Sequence, residues 1–353
     1  MSPARATARA GSPAPPPSAW GGARGAAPGR PGVAGSPALR MVGRRLLAAI
    51  PVLIGVTFLT FAIMSALPNN TAQAILGLNA SQSAVAALNH TLGLDRPFWA
   101  QYLSWLGNVL HGNFGTSIQG QSVNHELAIH VPTTLALLLY ALVVSVALAI
   151  IVATLAARRP NGIADRVSLT VSMLGLSTAP YAFAFVLIII FAVKLQWFPV
   201  LSGPITGPAS FFKNLTLPAA AIGFGLFAIY TRLLRADLVE QMQREDYIVT
   251  AKAKGVAPWR VLIRHALRNS MFTLITVIGL NLGGLVGAAA IIETIFQVQG
   301  IGNDLLTGIM NRDAPLIEGI TLLFAIVTVA GNLLADIAYA VLDPRIRYGS
   351  STS

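Results

Sequence analysis

Apolar and polar positions fall into long blocks along this chain rather than into short alternations. Apolar runs long enough to cross a bilayer cover about 46–67, 132–157, 167–193, 217–238, 272–292 and 316–342. Six such runs predict an all-α polytopic membrane protein whose carboxyl end returns to the side where the chain begins. A polar block, 68–130, follows the first run. Within it Phe98, Tyr102, Trp105, Leu106 and Val109 recur at helical spacing and predict a helix lying on the outer membrane surface. A second block, 240–270, separates the fourth and fifth runs and contains its own punctuation. Asp246 suits a helix cap, Gly255 a left-handed terminating turn, and Pro258 the first turn of a second helix. Two short helices are therefore expected. Trp259, Leu262, Ile263, Ala266 and Leu267 should share one face of the second, with Arg260, Arg264 and Arg268 forming a basic ridge beside it.

Composition agrees with the block pattern. Hydrophobic residues make up 54% of the 353 positions, charged residues only 10%, and the mean hydropathy is +0.67. The net charge of +11 would suit nucleic acid, but the basic residues are not interleaved with stacking aromatics. They sort by side of the membrane instead. Of the 24 Lys and Arg, only Arg96, Lys194, Lys213 and Arg312 fall outside on the six-span reading. This excess places both termini and the 240–270 block in the cytoplasm. Without cysteine, there is no disulfide framework or thiolate site.

The usual catalytic signatures are missing from the sequence. It has no Gly-x-x-x-x-Gly-Lys-Ser/Thr phosphate loop, no serine elbow and no His-Glu-x-x-His. The chain is read as not an enzyme and as binding no cofactor itself. His90, His111, His125 and His130 lie in or near the 68–130 block. His125 and His130 are five apart, which matches neither a helix face nor a strand face, so they are read as surface residues with no metal site. Glu293 ends the fifth run in apolar company, and an ionisable group at that depth is a candidate for function. It is read as part of an outer gate or, slightly preferred, as a cap on the return turn. Asp336, in the sixth run, is read as a helix-packing residue. Pro180, Gly223, Gly225, Gly279, Gly283, Gly284 and Gly287 permit bending or close helix approach.

The 240–270 block carries a resemblance. Tyr247, Ile248, Thr250, Ala251, Ala253, Lys254 and Gly255, then Val261, Leu262, Arg264, His265, Ala266, Leu267, Arg268 and Asn269, resemble the coupling loop of ABC importer permeases of the dipeptide, oligopeptide and nickel branch. Residues 92–117 resemble the outward segment of that branch's first-type subunit. Glu293, Thr294, Ile295 and Phe296 with Gly300 and Gly302, then Asn311, Arg312, Asp313 and Pro315, match two further family patterns. Asn332 with Asp336, and Asp343, Pro344, Arg345, Arg347 and Tyr348, match its close. Departures are Val249 where the superfamily has Glu, Thr273 and Gln299 where proline is usual, and 68–71 in place of Pro-Gly-Asp-Pro. The resemblance covers about 41–348. Residues 1–40 are read as a disordered tail or a start assigned too early, and 349–353 as a carboxyl-terminal tail.

The resemblance implies a type I permease fold and a role in ATP-driven peptide import across the cytoplasmic membrane. It also implies a second permease subunit, two ATPase domains carrying ATP and Mg, and an extracytoplasmic solute-binding protein. The ATPase-coupling residues would be Thr250, Ala251, Ala253, Lys254, Gly255, Trp259, Arg260, Leu262, Ile263, Arg264 and His265. Nickel or another small solute is the alternative cargo. Of the competing classes, a stand-alone secondary transporter should carry ion-coupling charges in its bundle, and a membrane sensor or scaffold should support no uptake.

Overall fold

A computed structural model describes residues 37–342 except 67–71, 73–75, 78–79 and 94. The readings of the tail before residue 37, the 68–71 departure and the segment after 342 lie outside the described residues. In chain order the helices are α1 (Pro37–Ala66), α2 (Gln82–Leu92), α3 (Phe98–Leu110), α4 (Val123–Arg158) and α5 (Ile163–Ser177). Next come α6 (Pro180–Leu187, continued in π form over Ile188–Lys194), α7 (Pro208–Arg244) and α8 (Asp246–Ala253). The last are α9 (Pro258–Phe296), α10 (Ile301–Asn311) and α11 (Ala314–Leu342). Five of these are long and apolar enough to cross a membrane, or six if the bent α5–α6 pair is one span.

Several boundaries differ from the sequence reading, each for a local reason. The third apolar run is not straight: α5 and α6 meet at 110°. Proline at 180 excludes helical geometry from the residue before it, and Thr178 and Ala179 are extended, with ψ of 125° and 136°. The first helix begins at Pro37, ahead of its apolar run, so Pro51 lies well inside it. Helix α4 begins at Val123, so the last residues of the 68–130 block already belong to a long helix.

Helix α7 is the axis of the bundle. In its most apolar stretch 61% of residues are buried, against 11–33% for the other four long helices. Around it pack α4, α5, α6 and α9, and α11 joins α9 to α1. Small residues set the closest approaches. A Cβ on Gly223 would meet Ser145 Oγ at 2.5 Å, and that hydroxyl donates to the Gly223 carbonyl at 2.9 Å, binding α4 to α7. A Cβ on Gly279 would land on Ala335, which brings α9 against α11. Gly225, Gly284 and Gly287 have no such neighbour.

Two ion pairs brace the helices. Arg235 donates through Nε and Nη2 to both Asp165 oxygens, at 2.7 Å each, while the Asn161 amide donates to the same carboxylate at 2.7 Å. That pair locks the α4–α5 turn onto α7. Asp336 accepts from Arg45 at 3.0 and 3.1 Å, joining α11 to α1, which is the packing partner expected for it. The surface helix α3 lays Phe98 and Tyr102 against Phe58 and Phe61 of α1, and the Tyr102 and Thr57 hydroxyls hydrogen bond at 3.0 Å. The faces left open are apolar, as along Leu47, Leu59 and Leu139, and suit acyl chains or another apolar subunit better than water.

Candidate coupling hairpin and the Glu293 corner

The 240–270 block folds into a tight hairpin. Its first arm, α8, has Glu245 at the cap position with Asp246 just inside the helix, and no side chain caps it. Asp246 therefore sits one residue later than its expected capping place, in the first turn, where a negative charge still complements the helix dipole. The far end follows the sequence reading closely. Gly255 has φ +77°, its amide donates to the Lys252 carbonyl at 3.0 Å, and the Val256 amide donates to the Ala251 carbonyl at 3.2 Å. Those two nested bonds close a Schellman turn, and Val256 packs against the apolar cluster that includes Ala251. Pro258 then opens the second arm at its first position.

The second arm is not a short helix. It runs through a π-bonded segment, Leu262–Leu267, into the apolar body of α9, so one 39-residue helical run joins the hairpin to Glu293. The predicted single apolar face is split. Val261, Leu262, Ala266 and Ser270 are buried, packing toward α7 and the end of α4, while Trp259 and Ile263 are each 41% exposed. The stripe is wider than the surface that covers it, and the π segment shifts its register. Trp259 and Ile263 therefore share the open side with Arg260, Arg264 and Arg268. Of the other proposed coupling residues, Thr250, Ala253, Lys254 and Gly255 are exposed and His265 is half-buried. Ala251 and Leu262 are buried in the main apolar cluster, and Leu262 also lines a small cavity beside Arg158 and Trp259.

Among the described residues four contacts hold the hairpin, and the sequence reading missed one side of each. Gln241, buried near the end of α7, accepts at Oε1 from the Tyr247 hydroxyl and from Asn269 Nδ2 (3.0 Å), so two motif residues from different arms converge on one amide. Burial, with Glu245 and Asp237 nearby, raises the Tyr247 pKa and keeps this donor protonated. Lys252 Nζ donates to the Met242 carbonyl at 2.9 Å, on the last turns of α7. Arg158, at the end of α4, lies over the Trp259 ring at 5.4 Å. Gln241 and Arg158 carry no sequence signal, because only the folded hairpin brings them to Tyr247 and Trp259.

At the other end of α9, Glu293 is fully buried. Its Oε2 accepts from the Gly302 amide at 2.8 Å and the Asn303 amide at 3.2 Å, and its Oε1 accepts from Thr134 Oγ1 at 2.7 Å. The two amides are unpaired donors in the first turn of α10, so Glu293 supplies a cap that Gly300 cannot. Thr134 of α4 also accepts from the Ile301 amide at 3.0 Å, closing the corner. Gly300 and Gly302 fit because they lack a Cβ. One on Gly300 would land on the Glu293 carboxylate, and one on Gly302 would come within 2.5 Å of Ala290 Cα.

A second cap lies beside this corner. Asp313, also buried, accepts from the Leu316 amide at the start of α11 (3.3 Å), from the Ile118 amide (3.1 Å) and from the Ser117 hydroxyl. Ser117 is thus only 6% exposed. Glu318, one turn into α11, is a further buried acid that its apolar run concealed. The histidines divide. His125 is exposed, but His130 Nδ1 donates to Asp304 Oδ2 at 2.5 Å and lies 3.8 Å from Glu126 Oε2. His130 is therefore not the free surface residue expected, because Asp304, 174 positions away in sequence, folds against it.

A bundle of apolar helices, with a basic hairpin rigidly continuous with one of them, has the build of a membrane-embedded transport subunit. Comparison with known proteins makes that specific. Residues 145–348 match the model of the binding-protein-dependent transport system inner membrane component, and residues 38–138 match its N-terminal companion. The chain is 36% identical over 312 residues to the oligopeptide transport system permease protein AppB of Bacillus subtilis, covering 86% of this chain and 98% of that one. It is 35% identical over 308 residues to a probable peptide ABC transporter permease of Sinorhizobium fredii, with coverages of 86% and 98%. The dipeptide permease DppB of Alkalihalophilus pseudofirmus is 34% identical over 328 residues, again covering 86% and 98%. This chain belongs to the binding-protein-dependent transport system inner membrane component family, the membrane permeases of ABC transporters.

Proposed function

We propose that this chain is a permease subunit of an ATP-driven peptide importer, with both termini and the 240–270 hairpin in the cytoplasm. The relatives named as oligopeptide, peptide and dipeptide permeases support the cargo, and the excess of Lys and Arg on one side supports the orientation. A second permease subunit would complete the pathway, two ATPase domains would bind ATP and Mg, and an external solute-binding protein would deliver the peptide.

The observation that carries the reading is the hairpin itself. It leaves Lys254, Trp259, Arg260, Ile263 and Arg264 exposed, and its second arm is the start of a spanning helix. A push on those residues is passed directly to α9, without a flexible joint. ATP can bias the inward and outward states only by binding one of them better, and the hairpin is where closure of an ATPase pair would meet this chain.

The chain has no cysteine, so single cysteines report cleanly. In the assembled transporter, one at Arg264 should cross-link to the ATPase. One at the exposed Gln119 should react with an impermeant thiol reagent from outside, and one at the exposed Ala257 should not. Labelling of Ala257 in intact cells would overturn the orientation. Failure of every hairpin cysteine to reach an ATPase would overturn the docking role. Uptake of labelled di- and oligopeptides, challenged with nickel, tests the cargo.

A further inference from the structure

We propose that Glu126, His130 and Asp304 form a binding site for a divalent cation of the zinc class, which clips α10 to α4. Glu126 and His130 are one turn apart on the same face of α4, and Asp304 projects from the first turn of α10 toward them. One ligand atom from each lies within 4.8 Å of the other two.

The spacing fits such an ion. Zinc binds carboxylate oxygen and imidazole nitrogen at about 2.0–2.2 Å, which sets neighbouring tetrahedral ligands roughly 3.3 Å apart. The separations here bracket that value, at 2.5 Å from His130 Nδ1 to Asp304 Oδ2 and 3.8 Å to Glu126 Oε2. Small side-chain rotations would even them out, with the cation displacing the proton that His130 now shares with Asp304. One imidazole with two carboxylates suits Zn, Co or Ni better than Mg or Ca, which prefer an all-oxygen shell. The three side chains are 15–21% exposed, which leaves an entry path and room for a water as fourth ligand.

The frame behind the ligands is already fixed. Thr134, one turn beyond His130 on α4, donates to Glu293 and accepts from Ile301 at the start of α10. Glu293 in turn holds the Gly302 and Asn303 amides, immediately before Asp304. The two helices that supply the ligands are therefore held in register without the ion, and a cation entering the site meets ligands that need little rearrangement. The site rests on this geometry and not on the transport reading.

The test uses the full chain assembled with its partner subunits, purified through a tag without histidine and stripped with a chelator. Equilibrium dialysis should find one Zn2+ per chain at this site, and Co2+ should give a visible d–d spectrum. His130→Ala and Asp304→Asn should each weaken binding at least tenfold, while His125→Ala should leave it unchanged. Zn2+ should raise the melting temperature of the parent protein but not of His130→Ala. If His130→Ala does not fold, Glu126→Gln serves instead, because among the described residues the Glu126 carboxylate accepts no hydrogen bond and only faces His130 at 3.8 Å, and it too should weaken binding. Absence of stoichiometric Zn2+, or binding that survives all three ligand substitutions, would overturn the proposal and leave the cluster as a hydrogen-bonded clasp.

Discussion

Two turns, one at each end of α9, depend on glycine for opposite reasons. At the Glu293 corner, Gly300 and Gly302 have backbone angles open to any residue but no space for a Cβ, because a buried carboxylate and the Ala290 backbone occupy it. At the hairpin, Gly255 has open space around it and a φ of +77° that other residues adopt at a cost. The corner is specified by packing and satisfied hydrogen bonds, the hairpin by backbone geometry with its side chains left open. A region that holds two helices together needs its donors and acceptors matched internally. A region that meets a partner needs a rigid frame under an unfilled surface. The same residue type therefore marks a fixed joint at one end of the helix and a presented surface at the other.

The largest effect that would sharpen this comparison is loss of the Glu293 carboxylate. Glu293→Ala strands the Gly302 and Asn303 amides and the Thr134 hydroxyl in a buried site. At ~1–3 kcal/mol for each of the three stranded groups, the fold should lose about 3–9 kcal/mol. Fluorescence-detected size exclusion after graded heating should reveal this as a marked drop in surviving protein. Glu293→Gln keeps one acceptor oxygen and should fall between parent and Ala. If Glu293→Ala instead melts like the parent but fails in uptake, the carboxylate belongs to a gate rather than a cap. Gly302→Ala comes next. Its Cβ is driven against backbone rather than a flexible tip, an overpacking cost of about 1–3 kcal/mol. Gly300→Ala should cost less, since the group it meets is a side-chain end that can shift.

How far each region could be read in advance follows from the same contrast. The hairpin's outline was legible because its determinants are local. Gly255, Pro258 and the four-residue arginine spacing act within a turn or two, and the Schellman closure forms where they place it. Its burial pattern was not legible, since whether Leu262 or Ile263 faces the core depends on where α7 and α4 lie. The corner was legible only as an oddity, a lone acid at the end of an apolar run. Thr134 is 159 positions away from Glu293 in sequence, and the pairing of His130 with Asp304 is equally remote. Nothing local announces those contacts. The bend at Pro180 lies between these cases: the proline was visible, but its 110° consequence depends on how α6 packs against α7.

At the hairpin, Gly255→Val should affect stability less than Glu293→Ala does, and coupling most. The left-handed conformation costs about 1–2 kcal/mol for a residue with a Cβ, and more for a β-branched one. The turn can relieve that strain only by re-aiming α8 against the start of α9. The spans and their insertion are untouched, so the protein should reach the membrane in normal amount. Uptake and ATPase stimulation should fall severalfold in the reconstituted transporter. Normal values for both would mean that the angle of the hairpin does not matter.

The smallest expected effect is also the most discriminating. Asparagine tolerates the left-handed region far better than valine, because its short polar side chain bonds locally. Among the described residues nothing lies within 4 Å of the Gly255 Cβ position. If only backbone geometry matters at this turn, Gly255→Asn should keep uptake within about twofold of the parent while Gly255→Val does not, since the strain cost at Asn stays well under ~1.4 kcal/mol, a factor of ten in an equilibrium. If Asn fails as badly as Val although both proteins insert, the open space beside Gly255 is where a partner's backbone comes close. The glycine would then resemble Gly302 after all, kept small by a neighbour rather than by its own φ. The comparison between the two ends of α9 would have to be redrawn, with the hairpin's open side counted as half of a packed interface. Measuring ATPase binding alongside uptake separates the cases, because strain weakens coupling at unchanged affinity, whereas a steric clash lowers affinity first.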